Sequence, residues 1–259
     1  VYIRVQGAFY HLRRFEVRNM PQQGVYIGGT DNVLDGIVSH HNKLTGIHIY
    51  SPYEPLPYGE FGSRNVLRNC VVHNNSGVGL SGPDYADGGN TDGISISSGI
   101  DNEVHHCLAY LNSDDGIDTW RSIDTLVTCS IVRESGLGSG DGNGFKAGGA
   151  APSKGTIVRN SISYRNKAVG FDFNSGVEVL FDHVTAVEDG RGFWTGDDTQ
   201  VMNSVAILDS NTNYGSATMT NNCWQSGGNP QFSSTDPTSP DFMRPVPGSD
   251  CDDLGAYGE

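Results

Sequence analysis

Basic residues are scarce: 16 lysines and arginines stand against 30 acidic side chains, a formal net charge of −14 over 259 residues. No basic stripe is present, so nucleic acid is not an expected partner, because phosphate binding relies on clustered Lys and Arg. An acidic chain is better suited to cations, or to anions bridged by cations. Long apolar runs are missing too. None approaches the ~18 consecutive apolar residues of a membrane span, and Val1-Tyr2-Ile3-Arg4 lacks the basic-then-apolar layout of a signal peptide. The expectation is a soluble monomer, mature or trimmed, with no membrane partner. No segment carries a 3.6-residue apolar period long enough for a helix. Glycine, in contrast, is abundant at 35 residues, about twice its ordinary share of ~7%.

Those glycines are periodic. A tetrapeptide of glycine, apolar, variable, and apolar or small residue recurs at Gly24-Val25-Tyr26-Ile27, Gly46-Ile47-His48-Ile49, Gly93-Ile94-Ser95-Ile96, Gly116-Ile117-Asp118-Thr119, Gly144-Phe145-Lys146-Ala147, Gly170-Phe171-Asp172-Phe173 and Gly192-Phe193-Trp194-Thr195. The separations are 22, 47, 23, 28, 26 and 22 residues, and the long one holds two insertions, Ser51 to Ser63 and Ser76 to Asn90. Between the glycines lie short β-branched runs bounded by Asn, Gly, Ser and Asp. A unit this small cannot bury its own apolar face and must stack on its neighbours. The pattern therefore predicts an all-β parallel β-helix with coils of about 22 residues. A β-sandwich would predict no such register. Asn42, Asn112 and Asn166 each precede their glycine by four residues, which predicts an asparagine ladder in one turn column.

The reading is one domain over residues 1–259, with coils to about 210 and a proline-rich tail from about 211. The first residues already read as strand, which leaves an N-terminal cap removed or lying outside this chain. Of five cysteines, Cys70 and Cys107 fall at equivalent positions and are expected to stack inside, with Cys129 one register position away. Cys223 and Cys251 lie in the tail, where a disulfide in a secreted protein is one reading and free thiols the other.

Register becomes geometry in such a fold, because equivalent residues of successive coils lie about 4.8 Å apart. The position two after the glycine reads Tyr26, His48, Ser95, Asp118, Lys146, Asp172 and Trp194, and by alternation it faces outward. Acidic residues concentrate in two neighbouring coils as Asp92, Asp114, Asp115 and Asp118. Hard oxygen ligands in turns, with no His or Cys at metal spacing, point to Ca²⁺. The plainer reading is that Asp-Gly turns favour Asp for its backbone hydrogen bonds. Because Asp115 and Asp118 would stand about 10 Å apart in a straight strand, a four-carboxylate site requires a bend at Gly116. Lys146 follows one coil later beside Asp118. A lysine near a divalent cation, or buried, loses its charge more readily and can act as a base. A salt bridge to Asp118 or Asp172 is the alternative.

These residues resemble polysaccharide lyase family 9, the right-handed parallel β-helix pectate lyases. The resemblance rests on Asp92-Gly93-Ile94, Asn112-Ser113-Asp114-Asp115-Gly116-Ile117-Asp118 and Gly142-Asn143-Gly144-Phe145-Lys146-Ala147-Gly148-Gly149, in that order on successive coils. It implies a secreted enzyme acting on an acidic polysaccharide, polygalacturonate, by β-elimination. It further implies that Asp92, Asp114, Asp115 and Asp118 bind a catalytic Ca²⁺ and that Lys146 removes the C5 proton. The tyrosine- and proline-rich insertion Ser51 to Tyr58 departs from the family pattern.

Three other readings stay open. Asn90-Thr91-Asp92 and Asp114-Asp115 echo β-helical polygalacturonases, although the Gly-His-Gly and Arg-Ile-Lys of those hydrolases are missing. Alginate or a glycosaminoglycan would suit the same elimination chemistry. A Ca²⁺-stabilised glycan-binding solenoid would use the aspartates for folding alone. Arg121, Asn143, Asp172, Arg191, His48 and Trp194 are the candidate substrate contacts. Gly136-Leu137-Gly138-Ser139-Gly140 has no βαβ context for a phosphate loop. His40-His41 and His105-His106 are read as pointing alternate ways, with no joint metal site.

Overall fold

The computed structural model describes residues 3–50, 61–82, 86–210 and 215–258. The Ser51 to Tyr58 insertion and the first residues of the tail lie outside them. Among the described residues the seven glycine tetrapeptides, together with Ile3–Val5, form one parallel sheet of eight strands, Ile3–Val5, Val25–Ile27, Ile47–Ile49, Ile94–Ile96, Ile117–Asp118, Phe145–Lys146, Val169–Asp172 and Arg191–Trp194, each bonded to the strand one coil away. A second sheet of nine strands and a third of eight, again among the described residues, complete a parallel β-helix. The outward column holds through the register: Tyr26 pairs with His48, His48 with Ser95, Ser95 with Asp118, Asp118 with Lys146, Lys146 with Asp172 and Asp172 with Trp194. Strand alternation sends the flanking residues inward, where Ile27, Ile49, Ile94, Ile96, Phe145, Phe171 and Phe193 are fully buried in one continuous core. Phe145 and Phe171 stack with ring centroids 4.9 Å apart.

Glycine opens each tetrapeptide for a steric reason. At Gly93 an added Cβ would lie 2.6 Å from the Gly116 carbonyl oxygen and 2.7 Å from the Asn112 Nδ2. That amide belongs to the asparagine ladder. Asn75 Oδ1 accepts both the backbone N–H and the Nδ2 of Asn42, at 3.1 and 2.8 Å, and Asn112 Oδ1 accepts the same pair from Asn75. The column passes through Ser135, whose N–H donates to Asn166 Oδ1. A second ladder, Asn32 to Asn65 to Asn102, runs through another turn column. Such ladders satisfy buried turn amides that no strand reaches.

The first ladder ends in carboxylates. Asp189 Oδ1 accepts the N–H and Nδ2 of Asn166, and Asp209 Oδ1 accepts the Asp189 N–H. Burial pushes Asp189 well above the usual carboxylate range and Asp209 up to about 7. A raised folded-state value means the stabilisation is complete in acid and is lost as pH climbs through about 7. Asp209→Asn is expected to raise stability at pH 8 by about 1–2 kcal/mol and to change little at pH 4. Thermal unfolding of both proteins at the two pH values checks this, and an equal difference at both would refute it.

Cys70 and Cys107 are buried at equivalent positions, while Cys129 is exposed one residue off register. The tail adds Thr218–Thr220 to the second sheet, so coil pairing continues beyond residue 210. It then folds back over the third sheet: Phe242 meets the Tyr164 ring edge-on at 5.3 Å, and the Ala256 N–H donates to Thr185 Oγ1. Cys223 and Cys251 form a disulfide. Among the described residues no helix is long and apolar enough to cross a membrane.

Candidate functional site

Three successive coils place Asp92, Asp115 and Asn143 immediately before their glycines, and backbone bonds from Gly93 N–H to the Asp115 carbonyl and from Gly116 N–H to the Asn143 carbonyl keep them aligned. The side chains interlock as well. Asp92 Oδ1 accepts the Asp115 N–H at 3.3 Å, and Asp115 Oδ1 accepts the N–H and Nδ2 of Asn143 at 2.8 and 2.9 Å. Asp114 is held by the N–H groups of Asn90 and Asp141, at 2.6 and 2.5 Å. The result is a buried triad in which Asp92, Asp114 and Asp115 each offer an oxygen within 4.8 Å of the others. Two oxygens about 2.4 Å from a shared Ca²⁺ can stand no more than about 4.8 Å apart. The donor set, all hard carboxylate oxygen, therefore fits a Ca²⁺ ion.

Asp118 is placed differently. The backbone does bend at Gly116 before the strand Ile117–Asp118, yet Asp118 stays outside the triad, and its Oδ1 accepts the Trp120 N–H at 2.9 Å. Its carboxylate lines a groove beside the triad. That groove, about 660 Å³, runs over the outward column and is walled by Tyr26, His48, Tyr50, Asp92, Trp120 and Lys146, among others. His48 and Tyr50 stack at 5.5 Å, and Tyr26 meets His48 edge-on at 5.9 Å. Burial lowers His48 to about 4, so it is neutral, and its Nε2 lies 3.0 Å from Ser97 Oγ.

Lys146 binds neither Asp118 nor Asp172 directly. Its Nζ lies 2.9 Å from Asp115 Oδ2 and 3.1 Å from Asp141 Oδ2. Burial works to discharge this lysine, but the Asp115, Asp118 and Asp92 carboxylates outweigh it and hold it charged, above the ordinary lysine value. The carboxylates show the converse. Burial, then the neighbouring Asp118, Asp114 and Asp115, pushes Asp92 well above its usual range. Burial raises Asp114 to about 6, and Asp115 and Asp118 also rise, although Lys146 opposes both. One ammonium does not balance four buried acids, so the site favours a further cation.

The remaining sequence candidates scatter. Asn143 is buried behind Asp115 and spends its amide there. Asp172 neighbours Lys146 in register, with burial raising it to about 6, and it accepts the Asn174 N–H. Arg121 lies over the ring of Trp120, a groove wall, and Arg191 over the Trp194 ring, at 5.3 and 4.2 Å, and neither arginine itself lines the groove. Trp194 is exposed two coils beyond Lys146. Sequence reasoning missed Asp141, Tyr50, Trp120 and Asn174. Asp141 lies in the loop that lengthens one coil, where register carries no information.

This chain and its fold have relatives. The family described as Pel9A-like, right handed beta helix region matches residues 2–213. A pectate lyase L from Paenibacillus polymyxa (strain SC2) is 32% identical over 190 residues, 67% of this chain and 40% of that protein. A pectate lyase L from Dickeya chrysanthemi is 28% identical over 239 residues, 86% of this chain and 53% of that protein. The crystal structure of pectate lyase Pel9A matches with a TM-score of 0.76 at 25% identity, covering all of this chain and 67% of that one. The chain thus spans about half the length of these curated relatives or less. It belongs to the Pel9A-like right-handed β-helix family.

Proposed function

We propose that this chain carries the active site of a Ca²⁺-dependent lyase that cleaves a uronic-acid polymer, polygalacturonate, by β-elimination. The observation that carries the reading is Lys146, partly buried on the groove wall 2.9 Å from one member of a carboxylate triad. Relatives named pectate lyase support the substrate class. Asp92, Asp114 and Asp115 hold the ion, with Asp118 adding negative charge at the groove edge. When bound, Ca²⁺ neutralises the uronate carboxylate and makes the C5 hydrogen more acidic.

The chain supplies the rest. Neutral Lys146 takes the C5 proton on Nζ, the electron pair forms the C4–C5 double bond, and the C4–oxygen bond breaks with its electrons on the departing oxygen. Asp141 and Asp115 orient the ammonium that results. The Tyr26, His48, Tyr50 and Trp120 rings offer faces against which sugar rings can lie, and the acidic surface leaves the cation to bridge an anionic polymer. The Cys223–Cys251 disulfide supports an extracellular setting.

Product analysis on polygalacturonate tests the reading. Each cleavage is expected to yield one unsaturated uronate end for every new reducing end. Reducing ends without unsaturation would mean a hydrolase, and binding without cleavage would mean a glycan-binding solenoid.

A further inference from the structure

On the third sheet, away from the groove, the strands Val38–His40 and Val71–His73 are neighbours, and His40 is in register with His73. Strand alternation would turn His41 away from His40. The structure overturns that expectation, because His41 adopts a left-handed backbone, φ 54°, and its ring swings back. His40 Nδ1 and His41 Nδ1 stand 2.6 Å apart. The His73 ring stacks on His40 at 4.7 Å and on Tyr110 at 4.6 Å, both nearly parallel. One ring nitrogen from each of the three histidines lies within 4.8 Å of the others.

Oxygen acceptors fix the outer nitrogens. Glu16 Oε1 lies 3.0 Å from His40 Nε2, and Asn74 Oδ1 lies 2.7 Å from His73 Nδ1. With protons on those two nitrogens, His40 Nδ1 and His73 Nε2 are left as lone pairs, and the His40–His41 contact shares one proton. Orienting a ligand imidazole through its second nitrogen is the usual support of a metal site. Imidazole nitrogen suits Zn²⁺, Ni²⁺ and Cu²⁺ and not Ca²⁺. Two cations face the cluster: Arg18 pairs with Glu16 at 3.2 Å, and Arg133 covers the outer side of Tyr110 at 4.3 Å.

We propose that His40, His41 and His73 bind a divalent transition-metal ion of the Zn²⁺ class, which clasps two neighbouring coils. The ion takes the Nδ1 lone pair of His41 as the proton there moves to Nε2 by exchange with solvent, so three neutral imidazoles bind with no net proton released.

The test is calorimetric titration of the full chain with Zn²⁺ in excess Ca²⁺, which keeps the carboxylate triad occupied, in two buffers of different ionisation heat. One ion per chain is expected, with the same binding heat in both buffers above neutral pH because neutral imidazoles release no proton, together with a Zn²⁺-dependent rise in Tm. Glu16→Gln should weaken binding by about 10-fold and His73→Gln by more, while His105→Gln should leave it unchanged. Unchanged affinity in His73→Gln, or no saturable binding, would overturn the proposal. Should His73→Gln fail to fold, electron paramagnetic resonance of Cu²⁺ on the native chain decides: coupling to several imidazole nitrogens supports the site, and coupling to one or none overturns it. Because elimination activity is no part of the readout, failure here leaves the lyase reading standing.

Discussion

Lys146→Ala should lower the elimination rate on polygalacturonate by about 10³-fold, within the range removed with a general base, while polymer binding persists. Lys146→Arg should be nearly as inactive, because it keeps the charge beside Asp115 and loses the ability to deprotonate near neutral pH. The pair of variants separates a base from a cation that merely balances the acids: recovery of activity in Lys146→Arg would assign the second role. The pH profile is tied to the same group. Without an ion, Asp115, Asp118 and Asp92 hold Lys146 protonated against its burial. Once an ion cancels the triad's charge, the balance shifts toward burial and the lysine value falls, although Asp118 and Asp141 still oppose the fall. The rate should therefore climb as the pH rises from about 6 to 10, with a midpoint that falls as Ca²⁺ increases. A flat profile over that interval would remove Lys146 from the base role.

Asp92→Asn should move stability and activity in opposite directions. Asp92 is buried, has no basic partner within ion-pair distance among the described residues, and is raised well above the usual range by burial and by Asp118, Asp114 and Asp115. A raised value means that at neutral pH its charge costs stability in the ion-free protein. The neutral amide removes that repulsion, so Tm in chelator should rise. With Ca²⁺ present the order reverses, because the wild-type chain gains stability from the ion it binds and the variant gains less. Elimination should fall by about 100-fold or more with the loss of a ligand. Differential scanning calorimetry with and without Ca²⁺ measures both limbs, and an equal Ca²⁺-induced shift in the two proteins would take Asp92 out of the ion site.

Why these side chains meet was partly legible in the sequence. The glycine register placed Asp118 beside Lys146 and Lys146 beside Asp172, as the strand pairing shows. Glycine is required there because a Cβ would strike the next coil, so a packing constraint inside the core left a mark in the chain. The Asn42 and Asn112 ladder was visible for a similar reason, although its middle member, Asn75, sits beside an insertion that hides the spacing. What stayed illegible depends on loops and on backbone sign. Asp141 reaches Lys146 from the turn after Gly140, outside any repeat. His41 joins His40 only because of a positive φ, and Asp115 pairs with Lys146 from one coil away although Asp118 is its strand neighbour. Periodicity fixes which backbone atoms are adjacent, and side-chain reach across a turn decides which charges touch.

The central claim is elimination that needs both the triad and the lysine. Its most direct test is absorbance near about 235 nm, where unsaturated uronate ends absorb, during incubation with polygalacturonate at alkaline pH as Ca²⁺ is added, chelated and restored. A rise with Ca²⁺, a halt on chelation and a resumption when Ca²⁺ returns is the result this structure predicts. A rise that continues unchanged in chelator, or reducing ends that accumulate with no rise at all, would contradict it.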